Sequence, residues 1–422
     1  MKKLFIPILL LLVACTKEVK EPQPAQDDNL VPDNYLVRTE VGNTMNKELL
    51  KFALGSQGYG QYAPLMQSDV RSFSVVYTTE YPKGNKINAS GALLIPENYN
   101  PHFPLVVLNH ASYGDRNSAP SKDIKNPLPA LMDVFLGMTI VSAFNCALLL
   151  PDYIGYGESQ SVTHPYMHGE SLGQVGLDFI RAFKEYAADS IALPFNNQIF
   201  ITGYSEGGYA AVALHKTIDN NPSEGLQVCK NVAGGGAYDL EAFSKEVIVN
   251  PQPLDLRMLS SYLWVLEMYK KDFRYSKAYA DIFSETDHAL LQSIGYNLAY
   301  YSIETANLPI HNVATELFHP DFVSGVLNET DDEFIRISRK NSLVDFVPKD
   351  SLIFVWGDAD SWVYPINSEN IYNAMRRKGC KVASFVQSGG DHTTTLPLYV
   401  EVVLGRLQAT DNEIRLKSRT MP

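Results

Sequence analysis

Apolar residues in this chain follow two rhythms, and the rhythms alternate. Short runs that are continuously apolar, or that alternate apolar with polar positions, read as strands. "FSVVYTTEY" (73–81) and "NASGALLIP" (88–96) form a first neighbouring pair. The Pro-bounded "PLVVLNH" (104–110) follows, and then "CALLLPDYIGYG" (146–157), which runs into a Gly-rich turn. "NQIFITGYS" (197–205), the weaker "NVAGGGAYD" (231–239), "SLIFVWGDAD" (351–360) and "KVASFVQSGGDH" (381–392) complete a set of eight. Between several of them the spacing becomes that of an amphipathic helix, over 171–189, 208–219 and 365–379. Strands interleaved with helices predict an α/β fold: a mostly parallel, eight-stranded sheet covered on both faces, with right-handed crossovers.

Residues 240–348 interrupt this order. They carry no clear strand run and are rich in Tyr, Leu, Ser and helix formers, as in "MLSSYLWVLEMYKKDF". Strand-like runs resume afterwards. The segment therefore predicts a helical cap inserted into one core made of 41–239 and 349–422.

The start of the chain has a third pattern. Lys2 and Lys3 precede the apolar "LFIPILLLLVA", which is too short to cross a bilayer comfortably, and "LVAC" closes the run at Cys15. Residues 1–15 read as a signal peptide. "LVAC" resembles the lipobox of bacterial lipoproteins. That resemblance implies acylation of Cys15 and a lipid-anchored protein of a bacterial cell envelope, on the periplasmic or cell-surface side. Residues 16–40, polar and Pro-containing, read as a flexible tether.

Composition narrows the picture further. Apolar residues make up 45% of the chain and charged residues 19%, which excludes global disorder. A formal net charge of −12 excludes a general nucleic-acid binder, because nothing offsets phosphate repulsion. Besides Cys15 there are three cysteines, Cys146, Cys229 and Cys380, whose number and spacing match neither a zinc site nor a disulfide framework. Cys146 reads as a small buried hydrophobe, and one bridge between Cys229 and Cys380 stays open. His164 and His168 in "HPYMH" have a helical metal spacing, but Pro165 and the loop setting argue against it. No metal and no cofactor are expected.

The chemistry points to "GYSEG" (203–207). Ser205 ends a predicted strand and opens a predicted helix, so a sharp turn would lift its hydroxyl clear of the sheet. Little larger than hydrogen fits at the flanking Gly203 and Gly207 in such a turn. The helix N-terminus would aim its amides at the reacting centre. A serine hydroxyl needs a base, and "GGDHTTT" offers His392 after the last strand. "VWGDADSWVYP" offers Asp358 and Asp360 after the strand before it. Asp391 is a weaker rival, expected to cap the loop. The order Ser, Asp, His differs from that of chymotrypsin or subtilisin.

With these residues in place, the chain over roughly 70–405 resembles an α/β-hydrolase. In that fold the acid segment is commonly G-x-x-D-x-x-V-P, which aligns Gly357 with Asp360 and leaves Asp358 as a neighbour; here one extra residue precedes Pro365. The resemblance implies an oxyanion hole from the backbone amides of Glu206 and either Ala111 or Ser112, after His110 in "VVLNHASYGD". His110, Tyr204 and Trp362 are candidate substrate contacts. The Glu206 side chain is expected to be satisfied by the helix N-terminus or by a nearby Tyr or Arg. Asp152 in "PDYIGYGES" resembles a structural turn of the fold. A finer resemblance, to the secretory lipase family, is carried by "ASGALLIP" (89–96), "LLLPDYIGYGES" (148–159), "LDFIRAFKEY" (177–186), "GYSEGGYAA" (203–211) and the helical lid.

These resemblances imply a serine esterase or lipase acting through an acyl-enzyme. Trp264 and the Tyr- and Leu-rich insertion would wall an apolar acyl pocket. The substrate would be a small-molecule, lipid or sugar ester, and carboxylates near the nucleophile would disfavour anionic ones. The same triad would serve a serine peptidase or amidase, although about 70 residues ahead of the first predicted strand leave no room for a propeller domain. An acetyl or feruloyl esterase acting on polysaccharide is a further alternative. A non-catalytic surface-binding lipoprotein is the remaining reading, and retention of Ser205, Asp360 and His392 weighs against it.

Overall fold

A computed structural model describes residues 34–189, 193–296 and 308–420. The signal peptide, Cys15 and most of the tether lie outside the described residues.

Nine strands form one sheet: β1 (Leu36–Met45), β2 (Val70–Glu80), β3 (Lys86–Pro96), β4 (Leu105–Asn109), β5 (Leu148–Pro151), β6 (Gln198–Tyr204), β7 (Gln227–Gly234), β8 (Leu352–Gly357) and β9 (Val382–Gln387). Their order is β1-β2-β3-β5-β4-β6-β7-β8-β9. The β1–β2, β2–β3 and β3–β5 pairs are antiparallel, and every pair from β5–β4 onward is parallel. The sheet is thus mostly parallel, with one strand more than the eight expected. The extra strand is β1, which begins at Leu36, inside the stretch read as tether to residue 40. As an edge strand it buries only Met45 fully, so its backbone pairing to β2 leaves almost no apolar alternation to read.

Helices cover both faces. They are α1 (Lys47–Ser56), α2 (Pro120–Asp123), α3 (Met132–Phe144), α4 (Gly169–Asp189), α5 (Glu206–Asn220), α6 (Leu240–Val249), α7 (Leu256–Asp272), α8 (Glu285–Ser293), α9 (Ala314–Leu317), α10 (Pro320–Leu327), α11 (Asp332–Asn341), α12 (Ile366–Arg377) and α13 (Leu396–Thr420). Alternation along the strands assigns the faces. Leu93, Ile199 and Ile201 join a core with α4, α5 and α12, whereas Leu94 and Phe200 join a second core with α1, α3 and α13. Helix α3 had no legible period because every residue from Val134 to Phe144 is buried.

Among the described residues, the chain between β7 and β8 contains helices α6–α11 and no sheet strand, only an isolated bridge between Phe283 and Phe318. Tyrosine hydroxyls tie this segment to the core. Tyr262 donates to the Trp362 carbonyl at 2.5 Å, and Tyr209 of α5 lies 2.6 Å from the Asn341 carbonyl and 3.0 Å from that of Met167. The thiols of Cys146, Cys229 and Cys380 are free, so the open Cys229–Cys380 bridge is not formed.

Candidate active site

Strand β6 ends at Tyr204 and α5 begins at Glu206, leaving Ser205 alone to turn the chain. Its backbone is at φ 60°, ψ −124°, a strained conformation for a residue with a side chain. The surrounding close packing explains the glycines. A Cβ on Gly203 would sit 2.1 Å from the Gly207 carbonyl oxygen, and one on Gly207 would sit 2.1 Å from that of Asn109. The elbow is therefore wedged against β4 by backbone atoms, with no space for a methyl group.

Two loops meet the serine. His392 lies in the loop between β9 and α13, and its Nε2 is 2.9 Å from Ser205 Oγ. Its Nδ1 is 2.6 Å from Asp360 Oδ2, in the loop after β8. The other oxygen of Asp360 accepts the amides of Trp362 and Val363, both at 2.9 Å, which fixes the carboxylate in place. Asp358 instead accepts the Gly389 amide at 2.6 Å and braces the two loops. Asp391 accepts from Thr393 and Thr394, and these backbone and hydroxyl bonds lower its carboxyl to about 2. The structure thus brings Ser205, His392 and Asp360 into one hydrogen-bonded line and leaves Asp358 and Asp391 out of it.

The serine opens into a cavity of about 430 Å³. Tyr204 and Trp362 line it: the Tyr204 hydroxyl donates to the His392 carbonyl at 2.7 Å, and the Trp362 ring lies 5.5 Å from the imidazole. From the helices between β7 and β8, α7 contributes Met258, Ser260, Ser261 and Trp264. Of these only Trp264 was singled out from sequence. Serines on a helix carry no sequence signal of which face meets a cavity.

Ala111 and Ser112 also line the cavity. The Ala111 amide points toward Asp133 Oδ2 at 3.4 Å, and Ser112 Oγ is 2.8 Å from the Tyr166 hydroxyl. Burial raises the Asp133 carboxyl, opposed by His110 and by the Tyr113 hydroxyl. As the first residue of α5, Glu206 has no intrahelical acceptor for its amide.

Two expectations need correction. His110 is fully buried beneath the cavity and does not line it; it stacks on Tyr113 at 4.3 Å and lies tilted against Tyr153 at 4.1 Å, with both ring nitrogens facing backbone carbonyls. A short loop after a buried strand draws the imidazole into the aromatic layer below. The Glu206 side chain meets neither Tyr nor Arg: its Oε1 is 2.6 Å from His164 Nε2, and both side chains are fully buried. His168, which the sequence spacing pairs with His164, bonds Ser171 instead. Among the described residues no group of three potential metal ligands converges. Asp152 is a buried anchor, accepting the hydroxyls of Ser90 and Ser121 at 2.5 Å each.

A mostly parallel sheet with a serine elbow between an interior strand, β6, and the helix that follows it is the arrangement of the α/β-hydrolase fold. Solved structures share it. A Legionella pneumophila protein solved as a candidate hydrolase superposes with a TM-score of 0.76 at 20% identity, over 92% of this chain and 100% of its own. The rice cell wall degrading esterase LipA from Xanthomonas oryzae, in a ligand-bound form, gives 0.71 at 19% identity, over 89% and 96%. Candida antarctica lipase A in its closed state gives 0.64 at 14% identity, over 90% and 82%. No family model matches the sequence, and no curated protein matches it. At these identities the likeness is one of fold.

Proposed function

We propose that this protein is a serine hydrolase of carboxylic esters. The observation that carries the reading is the line Ser205 Oγ–His392 Nε2 (2.9 Å), His392 Nδ1–Asp360 Oδ2 (2.6 Å) on a strained turn at a helix N-terminus. His392 takes the Ser205 proton as the hydroxyl attacks the ester carbonyl, and Asp360 holds the imidazole in the required tautomer and stabilises the imidazolium. The oxyanion receives the amide of Glu206 and a second amide from the β4 loop. Ser112 is the better second donor, because the Ala111 amide already faces Asp133. His392 then protonates the leaving alcohol, and water attacks the acyl-enzyme by the same route.

The mixed lining of the cavity favours a substrate with an apolar and a hydroxyl-bearing part. Trp264, Trp362 and Tyr113 supply aromatic faces, and Ser112, Ser261 and Thr393 supply hydroxyls. That lining favours, as a second reading, an ester on a carbohydrate, and the structurally similar LipA is a rice cell wall degrading esterase. Acylation of Cys15 would hold the enzyme at a bacterial envelope membrane. Metabolic labelling with a fatty-acid probe should mark the wild type and not Cys15→Ser.

Initial rates on p-nitrophenyl esters from acetate to palmitate test the main reading, alongside feruloyl and acetylated xylan substrates and matched anilides. Hydrolysis should fall about 10⁵-fold or more in Ser205→Ala. Anilide cleavage as fast as ester cleavage would shift the assignment to an amidase. Folded protein that cleaves none of these substrates would overturn it.

A further inference from the structure

Behind the nucleophile lies a second acid–histidine pair. His164 Nδ1 is 2.6 Å from the Ile154 carbonyl oxygen, which can only accept, so Nδ1 carries a hydrogen. His164 Nε2 is 2.6 Å from Glu206 Oε1. Two such atoms meet at that distance only with a hydrogen between them. The pair therefore holds a second proton, as imidazolium with carboxylate or as imidazole with carboxylic acid, and has no net charge in either form.

The setting makes this arrangement costly if it serves packing alone. Both side chains are fully buried, and Glu206 Oε2 has no hydrogen-bond partner among the described residues. An apolar pair of similar volume would fill such a space without desolvating an acid. Position supplies a reason for keeping it. Glu206 follows Ser205 directly and opens α5, while His164 belongs to the loop on which the inserted segment rests. The His164 ring meets Trp264 edge-on at 5.3 Å, and Trp264 stacks on Tyr166 at 4.8 Å and lines the catalytic cavity.

We propose that His164 and Glu206 form a proton-sharing pair that positions the Glu206 amide for the oxyanion, Glu206 being held by its side chain from the loop as well as by the helix. The proposal rests on the reading of Ser205 as nucleophile. Its two members act through the amide as positioning residues and need not touch substrate with their side chains.

The test combines ester kinetics with proton NMR on the full chain. Two far-downfield resonances are expected in the wild type, one for each 2.6 Å acid–histidine bond. His392→Gln should leave one of them, and adding Glu206→Gln should remove it. In kinetics, Glu206→Leu should lower kcat about 10- to 100-fold with KM little changed, since a displaced oxyanion donor acts on the transition state. Glu206→Gln can donate its amide N–H to neutral His164 and should restore most of that loss. If Glu206→Leu fails to fold, Glu206→Asp replaces it: one methylene shorter, it should keep a downfield resonance while kcat falls. A His392→Gln spectrum with no downfield line overturns the proposal, as does an unchanged kcat in Glu206→Leu or, in its place, Glu206→Asp. Failure of the Ser205 reading would appear separately, as a wild type without esterase activity.

Discussion

The floor of the site and the segment above it are built by different means. The floor is backbone against backbone: Gly203 packs on Gly207, Gly207 on Asn109, and the Ser205 amide donates to the Gly234 carbonyl at 2.9 Å. The helical segment between β7 and β8 is side chain against side chain, with rings of Phe318, Phe322 and Phe334 in contact and Tyr262 set edge-on to Phe243. Backbone contacts tolerate no substitution, whereas packed rings can exchange for others of similar volume. The turn that carries Ser205 is therefore rigid, and the segment that walls the cavity beside it is open to change.

Perturbing each region should separate them. Gly207→Ala should have the largest effect, because its Cβ would overlap backbone atoms of β4 that cannot yield; soluble yield and the circular-dichroism melt should both collapse. Asp360→Asn should leave the fold intact and lower kcat about 10⁴-fold by favouring the wrong imidazole tautomer. Asp358→Asn, the matched control one turn of loop away, should stay within about threefold of wild type. In the helical segment, Trp264→Ala removes a buried ring stacked on Tyr166 and should cost about 3–5 kcal/mol of folding stability. Because the ring also lines the cavity, steady-state kinetics should register a separate rise in KM of about fivefold, with kcat much less affected.

The seam between the two regions carries an effect that depends on pH. His168 stands just before α4, its ring 5.3 Å from Phe273 of the helical segment between β7 and β8. Burial lowers its imidazole from 6.5 to about 4, with Glu170 opposing and Lys340 adding to the shift. The folded state thus prefers the neutral ring more than the unfolded state does. The associated stability is complete above about pH 6.5 and is lost as pH falls toward 4. His168→Asn should flatten the decline of melting temperature across that window; an identical decline would remove His168 from the account.

Legibility followed the same division. Ser205 and its glycines could be read directly, because the residues that create the turn are also its neighbours in sequence. His392 and the parallel strands were legible from order and apolar runs. The edge strand β1 was not, since its pairing uses backbone groups that every residue has. Helix α3 was not, since burial on all sides erases periodicity. Reading Asp358 against Asp360 needed a family pattern, because both stand at the mouth of β8 and only loop geometry decides which carboxylate faces the imidazole.

Local sequence, then, was enough for the Ser205 turn, its strand-to-helix setting and the succession of strands, because strain, capping and apolar spacing act over a few residues. Tertiary structure alone decided what lies far apart in the chain. It set Asp360 against His392 at 2.6 Å, drew His110 under the floor, and joined His164 to Glu206 across 42 positions. Hydrogen bonds between buried side chains depend on distances of tenths of an ångström between separate loops, and no pattern of residue types encodes them.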